Sequence, residues 1–183
     1  MAKILILNGS PRLRGNTAHL CDAFARGAQG AGHEVTRFDL QKMKIAGCIG
    51  CMKGGKDKAS PCTIKDDMDK IYPHYEACDL VVLASPMYYW TISGQLKAAF
   101  DRLFAVAECN PDYKNPVKDC CLIMPAEDAD TDNWTAITCW YDKLCQVLGW
   151  HDRGRILIGG VLEAGSVAKT DALADAEKLG ASI

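Results

Sequence analysis

The sequence predicts an α/β fold in which helices cover both faces of a five-stranded parallel sheet. Five short apolar runs alternate along the chain with segments whose apolar residues recur at helical spacing. Three of these runs, at Leu80, Cys120 and Arg155, are almost continuously apolar, as in strands that are buried on both faces. No linker, repeat or low-complexity segment divides the 183 residues, so we expect a single domain over residues 1–183.

The individual elements follow from local patterns in chain order. The predicted strands cover residues 4–7, 34–38, 80–84, 120–124 and 155–158. The predicted helices cover residues 17–31, 66–77, 93–106 and 131–148, with a short helix from about residue 170. In the first helix, for example, Leu20, Phe24 and Ala28 recur at four-residue spacing and define one apolar face.

Helix ends and interruptions are also marked in the sequence. Ser93 has the residue type of an N-cap, and Gly149 is expected to end the fourth long helix. Pro73 lies inside the second helix and is expected to kink or split it. Residues 41–65 are rich in Gly, Lys and Cys and show no apolar period. They predict an inserted loop, and a loop of this length in a compact domain is usually functional or disordered.

Composition narrows the class of partner. The chain is 49% apolar and 24% charged, which is ordinary for a globular protein, and its net charge of −2 does not favour nucleic acid. No apolar run approaches the roughly 18 residues needed to span a bilayer, and no signal peptide is apparent. Ten cysteines without a secretory signal indicate a reducing compartment. We therefore expect a cytoplasmic protein that acts on a small molecule and binds neither nucleic acid nor membrane.

The first apolar run leads into a loop that is suited to bind an anion. Residues 7–17 read Leu-Asn-Gly-Ser-Pro-Arg-Leu-Arg-Gly-Asn-Thr, and a helical pattern follows at once. Main-chain N–H groups at a helix N-terminus attract phosphate, and Ser10, Asn16 and Thr17 can add side-chain donors. The loop is neither a Walker motif nor the dinucleotide-binding glycine pattern. An ordinary turn with Asn16 as a helix cap is the alternative.

A second loop, which follows the third strand, offers a surface for a planar ligand. Pro86 stiffens it, and the next four residues present flat or soft apolar side chains. These four residues are Met87, Tyr88, Tyr89 and Trp90. Ligands of open α/β sheets lie at the carboxyl ends of the strands, so both loops should face the same site. The alternative is that the aromatic side chains belong to the core and to a subunit interface. We interpret Asp101 and Arg102 as an ion pair or helix-end contacts.

Together the two loops resemble the NADPH-dependent FMN reductase family of flavodoxin-like proteins. The resemblance rests on Gly9-Ser-Pro-Arg12, Gly15-Asn-Thr17, Ser85-Pro-Met-Tyr88, Ser93-Gly-Gln-Leu-Lys97 and Asp101-Arg102, which are correctly ordered and spaced. It implies a doubly wound sheet with strand order 2-1-3-4-5 and FMN at the switch point between the first and third strands. It also implies a homodimer or homotetramer that completes the flavin pocket.

The resemblance assigns the cofactor-binding residues by position. The FMN phosphate would be held by Ser10, Arg12, Asn16 and Thr17. The ribityl chain and the ring would be lined by Pro86, Met87, Tyr88, Tyr89 and Trp90. Gly94 would permit close approach near the ring. Residues 124–128 stand where the family often has a glycine-rich flavin contact, and this chain has no glycine there.

The cysteines of the inserted loop resemble those of a subgroup, the iron-sulfur flavoproteins. Cys48 and Cys51 match the cluster pattern and Cys62 could be its last ligand, but Gly54 stands where a third cysteine would be. Because a [4Fe–4S] cluster needs four thiolates, we expect no cluster unless Cys78 or a partner chain supplies one. A zinc site, a redox dithiol and a remnant that orders a loop over the active site are the alternatives. We therefore assign no metal ligand.

The function implied by the resemblance is FMN-dependent NAD(P)H oxidoreduction. Free flavin, a quinone or a nitro- or azo-aromatic compound could be the acceptor, and the sequence does not choose between NADH and NADPH. The chemistry belongs to the cofactor, and none of the four histidines lies in a triad context, so we assign no catalytic side chain. The alternatives are an iron-sulfur flavoprotein supplied by ferredoxin, or a flavodoxin-like electron carrier. Carriers of that kind are strongly acidic, which a net charge of −2 does not match.

Overall fold

A five-stranded parallel sheet with strand order β2-β1-β3-β4-β5 forms the centre of the protein, as a computed structural model of residues 1–183 shows. The strands are β1 (Lys3–Asn8), β2 (Glu34–Asp39), β3 (Leu80–Ala84), β4 (Asp119–Pro125) and β5 (His151–Ile158). The helices are α1 (Asn16–Gly30), α2 (Met68–Ala77), α3 (Gly94–Arg102), α4 (Phe104–Ala107), α5 (Thr135–Leu148) and α6 (Ala172–Ala181). The predicted doubly wound fold and its strand order are confirmed.

Two apolar layers form because successive side chains of a strand point to opposite faces of the sheet. Leu5 and Leu7 of β1 face the layer formed by α2, α3 and α5. Ile4 and Ile6, from the same strand, face the layer formed by α1 and α6. The central strands β1, β3 and β4 are therefore almost wholly buried, which confirms the expectation for the runs at Leu80 and Cys120. The expectation is wrong for the run at Arg155, because β5 lies at the edge of the sheet and its residues are half-buried or exposed.

The observed bounds depart from the predicted ones mainly at helix ends. The helix predicted for residues 93–106 is two helices, with Leu103 between α3 and α4, and residues 131–134 form a 3₁₀ turn before α5. Pro73 lies within α2 without splitting it. Gly149 ends α5 as predicted: it has φ +65°, and its N–H bonds to the carbonyl of Cys145. Residues 46–65 contain no helix or strand.

The backbones of helices α1 and α6 pack directly against each other. A Cβ atom on Gly27 would collide with the carbonyl oxygen of Glu177, and one on Gly180 with that of Phe24. Glycine at both positions therefore allows the backbones to touch. This contact fixes α1, whose N-terminus faces the site described below. None of the helices is both long and apolar enough to cross a membrane.

Candidate functional site

Two connected clefts lie at the carboxyl ends of β1, β3 and β4, at the point where the strand order reverses. The inner cleft has a volume of about 170 Å³ and the outer, more open cleft about 570 Å³. They share Met87, Ala126 and Glu127, so one elongated ligand can occupy both. This is the position at which open α/β sheets bind their ligands.

Nine of the ten residues that the sequence assigns to the cofactor line these clefts. The inner cleft contains Ser10, Arg12, Asn16, Thr17, Pro86, Met87 and Tyr88. The outer cleft contains Met87 again, with Tyr89 and Trp90. Gly94 lines neither cleft, and a Cβ atom at that position would meet nothing within 4 Å. Their roles toward a cofactor stay predictions, but the structure brings the two loops to one site.

The N-terminus of α1 provides unpaired donors to the inner cleft. Gly15 precedes the helix and no side chain caps it, and the first turn carries no acidic residue. The main-chain N–H groups of Asn16, Thr17 and Ala18 have no acceptor within the protein. Such groups need a partner, and together with the helix dipole they favour an anion. The inner cleft is thus suited to an anion such as a phosphate group.

The loop between β1 and α1 is held in shape by its own hydrogen bonds. The Asn8 carboxamide accepts from the N–H of Ser10, at 3.1 Å, and donates to Asp39. The Ser10 hydroxyl accepts from the N–H of Arg12 and donates to the Arg12 carbonyl, both at 3.2 Å. One guanidinium nitrogen of Arg12 donates to the carbonyl of Leu162, at 2.9 Å. The donors of this loop are therefore fixed before any ligand arrives.

The side chain of Asn16 has a structural role that the sequence does not reveal. Its amide nitrogen donates to the carbonyls of Val161 and Glu163, each at 2.9 Å, and its oxygen accepts from the N–H groups of Gly165 and Val167. The residue that caps α1 by position is Gly15, not Asn16. Because this carboxamide is fully used, we expect Asn16 to reach an anion through its main-chain N–H.

Ser93 joins the loop that follows β1 to the loop that follows β3. Its hydroxyl donates to the carbonyl of Gly9 at 2.7 Å and accepts from the N–H of Leu96, which confirms it as the N-cap of α3. Its own N–H donates to the hydroxyl of Ser85 at 2.8 Å. A Cβ atom on Gly9 would lie 2.6 Å from that of Leu96, so the loop after β1 requires glycine there. The two motifs recognised in the sequence are therefore one connected unit.

The aromatic loop forms a tight hairpin turn. The N–H and carbonyl groups of Tyr88 and Thr91 bond to each other, and both residues between them have positive φ, +48° for Tyr89 and +58° for Trp90. Bulky residues rarely adopt this conformation, which costs on the order of 1–2 kcal/mol for each. The turn presents Tyr89, 93% exposed, and Trp90 to the solvent beside the outer cleft.

The end of β4, the loop after it and the loop after β5 supply further lining residues. In the inner cleft these are Pro125, Ala126, Glu127, Val161 and Leu162, and the outer cleft adds Asp128 and Ala129. The sequence marks residues 124–128 as a flavin contact by position alone, and it gives no signal for residues 161 and 162. The rule that ligands lie at strand ends could have found the second loop, because it directly follows β5.

The cysteine loop is closed by a buried guanidinium group. The Arg102 side chain, 1% exposed, forms an ion pair with Asp66, with N–O distances of 2.9 and 3.2 Å. It also donates to the carbonyls of Ala46 and Ile64 and to Cys62 Sγ, at 2.9, 2.9 and 3.1 Å. Arg102 thus joins both ends of the loop and pairs with Asp66, whereas Asp101 pairs with Lys97.

Asp66 and Arg102 each shift the pKa of the other. Burial alone would raise the pKa of Asp66, but hydrogen bonds from Arg102 and from the N–H groups of Ala46 and Met68 outweigh it and lower the pKa below its usual value. Burial likewise disfavours the charged form of Arg102, and its bonds to Asp66 outweigh that effect and raise its pKa. Both groups are therefore charged at neutral pH.

The residues of this loop do not fit a four-thiolate cluster. No three His, Cys, Asp or Glu side chains converge as they would around a metal ion, and the Arg102 guanidinium lies against Cys62. At position 54 a side chain would collide with the Glu108 carboxylate, and its Cβ would lie 2.9 Å from the carbonyl oxygen of Pro61. A cysteine at position 54 would therefore require the Glu108 side chain and the backbone at Pro61 to shift.

The fold defines a flavodoxin-like α/β protein with two adjoining clefts at the switch point of its sheet. The sequence model of the NADPH-dependent FMN reductase family matches residues 2–119, which is well over half of the chain. The protein belongs to this family.

Sequence relatives fall into two groups. An iron-sulfur flavoprotein of Archaeoglobus fulgidus is 37% identical over 95 residues, which cover 52% of this chain and 42% of the relative. One of Methanosarcina thermophila is 34% identical over 115 residues, which cover 63% and 59%. The chain thus spans about half the length of these curated relatives. Bacillus subtilis YwqN, whose name describes an NAD(P)H-dependent FMN-containing oxidoreductase, is 25% identical over 97% of this chain and 96% of its own.

Solved structures share the fold at low identity. An NAD(P)H:quinone oxidoreductase from Methanothermobacter marburgensis superposes with a TM-score of 0.77 at 16% identity, over 99% of this chain and 95% of that one. An FMN-dependent NADH-azoreductase from Bacillus anthracis, solved with FMN, gives 0.70 at 14% identity, over 98% of both chains. At such identities the likeness concerns the fold alone.

Proposed function

We propose that the protein is an FMN-dependent NAD(P)H oxidoreductase that passes electrons to a small acceptor. The observation that carries this proposal is the uncapped N-terminus of α1, which opens into a cleft that continues into an aromatic-lined one. A molecule with a phosphate at one end and a planar ring at the other matches both parts. Family membership and the full-length relative YwqN support the same cofactor.

The chain's own residues bind and orient such a cofactor. The N–H groups at the start of α1 and the Arg12 guanidinium bind its phosphate in the inner cleft. Met87 and Tyr88 line the path to the outer cleft, where Tyr89 and Trp90 offer stacking surface to planar rings. When FMN is bound, it supplies the hydride and electron transfer between NAD(P)H and the acceptor. The protein's contribution is position, shape and charge.

The second candidate is an electron-relaying iron-sulfur flavoprotein, favoured by several relatives of that name. The buried Arg102 guanidinium against Cys62 argues against it, and so does Gly54, which leaves the loop three thiolates instead of four. Flavin, quinone, nitro-aromatic and azo-aromatic acceptors all agree with the open outer cleft. We propose assembly as a homodimer or homotetramer, which light scattering will test.

The test of the proposed function is the absorption spectrum of the purified protein under anaerobic conditions. After incubation with FMN and removal of free flavin, we expect flavin bands that bleach on addition of NADH or NADPH and return when a quinone is added. A protein that retains no FMN would refute the proposal. Retained FMN that neither nicotinamide reduces would make it a carrier instead.

A further inference from the structure

The outer cleft combines aromatic surface with negative charge. Its seven lining residues are Met87, Tyr89, Trp90, Ala126, Glu127, Asp128 and Ala129. Two of them are carboxylates and none is basic. The chain around these residues also lacks positive charge, because no Lys, Arg or His occurs between Lys118 and Lys143. The positive groups of the site, Arg12 and the α1 N-terminus, lie at the inner cleft instead.

The two acidic side chains are placed differently. Glu127 lines both clefts, is exposed, and forms no ion pair within the protein. Asp128 accepts hydrogen bonds from the N–H of Asp130 and from the Asn133 amide, which hold it in place but leave its charge. Because the outer cleft is open to solvent, these charges act over several ångströms at low ionic strength and are screened by added salt. A ligand in the outer cleft therefore experiences a negative potential.

We propose, on the basis of the proposed function, that the part of the outer cleft that the FMN ring leaves open selects planar aromatic acceptors that are cationic or neutral and discriminates against anionic ones. Tyr89 and Trp90 offer the π surface on which a flat cation is attracted beyond simple stacking. Glu127 and Asp128 add attraction for a positive ring and repel sulfonates or carboxylates. The preferred acceptors are then ring systems of the pyridinium or phenothiazinium kind and uncharged quinones.

The experiment measures equilibrium binding of two redox-inert probes of equal size. These are 9-aminoacridine, a cation at pH 7, and acridine-9-carboxylate, an anion. Each is titrated by calorimetry into protein loaded with FMN, at low and at high salt. We expect the cation to bind at least about tenfold more tightly at low salt, and the ratio to approach one at about 0.5 M salt.

Variants of Glu127 test whether this carboxylate causes the preference for the cationic probe. Glu127→Gln should weaken the cation and strengthen the anion by about two- to fourfold each, as for one charge roughly 8 Å away near solvent. Glu127→Lys should extend both changes in the same direction. Glu34→Lys is the matched control: Glu34 is also exposed but begins β2, at the opposite end of the strands, and should leave the ratio unchanged.

A second variant tests whether the probes occupy this cleft. Tyr89→Asn removes the ring and keeps a residue that accepts positive φ. It should weaken both probes without altering their ratio. Equal affinities of the two probes, or an unchanged ratio in both Glu127 variants, would overturn the inference while FMN binding and bleaching by NAD(P)H still supported the proposed function. Failure of the wild-type protein to retain FMN would overturn both, and the Tyr89→Asn affinities are therefore measured on the fraction of that variant that retains FMN.

Discussion

The ion pair between Arg102 and Asp66 gives a quantitative prediction about what holds the cysteine loop. Replacing Arg102 with Met keeps most of the side-chain volume and removes the guanidinium. The carboxylate of Asp66, 12% exposed, then loses its partner, and the carbonyls of Ala46 and Ile64 lose donors at 2.9 Å. Breaking a buried pair by removing one partner typically costs about 3–5 kcal/mol. We expect a loss of this size in the free energy of unfolding.

The assay is urea unfolding followed by circular dichroism, with a matched control. Arg26→Met removes an ion pair with Glu177 of similar length, 3.0 Å, whose side chains are 57% and 50% exposed. Exposed pairs contribute about 0–1 kcal/mol, so this variant should be nearly neutral. Arg102→Lys keeps the charge but not the planar fork, and should lie between wild type and Arg102→Met. A loss below about 1 kcal/mol for Arg102→Met would refute the assigned role.

Three further predictions concern the phosphate end of the site and the pH dependence of stability. Thr17→Asp puts a negative charge at the uncapped start of α1, and should weaken FMN by at least about tenfold relative to Thr17→Asn in a fluorescence titration. The asparagine variant is the neutral isostere of the aspartate and shares the cost of changing a side chain that is 1% exposed, so the difference between the two variants reports the charge. Asn16→Ala should lower the free energy of unfolding by about 2–4 kcal/mol, because four main-chain groups lose their partner, and a change confined to FMN affinity would contradict this. The lowered pKa of Asp66 means that the unfolded chain binds the proton more readily, so its stabilisation is complete above its usual pKa and is lost as pH falls below about 4. In acid titrations Arg102→Met should show a shallower decline than wild type, and identical slopes would argue against the coupling.

Much of the fold could be predicted because it depends on local patterns. Apolar runs and helical spacing locate all five strands and the long helices, since burial of one face imposes those periods whatever lies opposite. The ends of elements depart from the prediction: β5 begins four residues before the predicted position 155, and the third helix is interrupted at Leu103. Ends depend on hydrogen bonds and packing with other elements, which the period does not record.

The candidate site was predicted in its two main loops but not in its connections. The chain near Gly15 and the aromatic loop carry recognisable residues, and the structure places them along one pair of clefts. Glu127 could be assigned to this site only because residues 124–128 follow the fourth predicted strand. The loop that contains Leu162 could not be assigned to the site from the sequence, because it has no distinctive local pattern. From the sequence, Asp101 and Arg102 were interpreted together as an ion pair or helix-end contacts, although Asp101 pairs with Lys97 and Arg102 pairs with Asp66.

The sequence by itself determined the α/β class, the order of elements and most of the residue types that line the two clefts, because these follow from short-range periodicity and motif spacing. The tertiary structure decided what individual polar side chains do. Asn16 bonds to a carbonyl 145 residues away, and Arg102 pairs with a carboxylate 36 residues away. The residue type in the sequence is the same whether a side chain binds a ligand or holds a loop in place. Only the positions of distant partners in space distinguish the two.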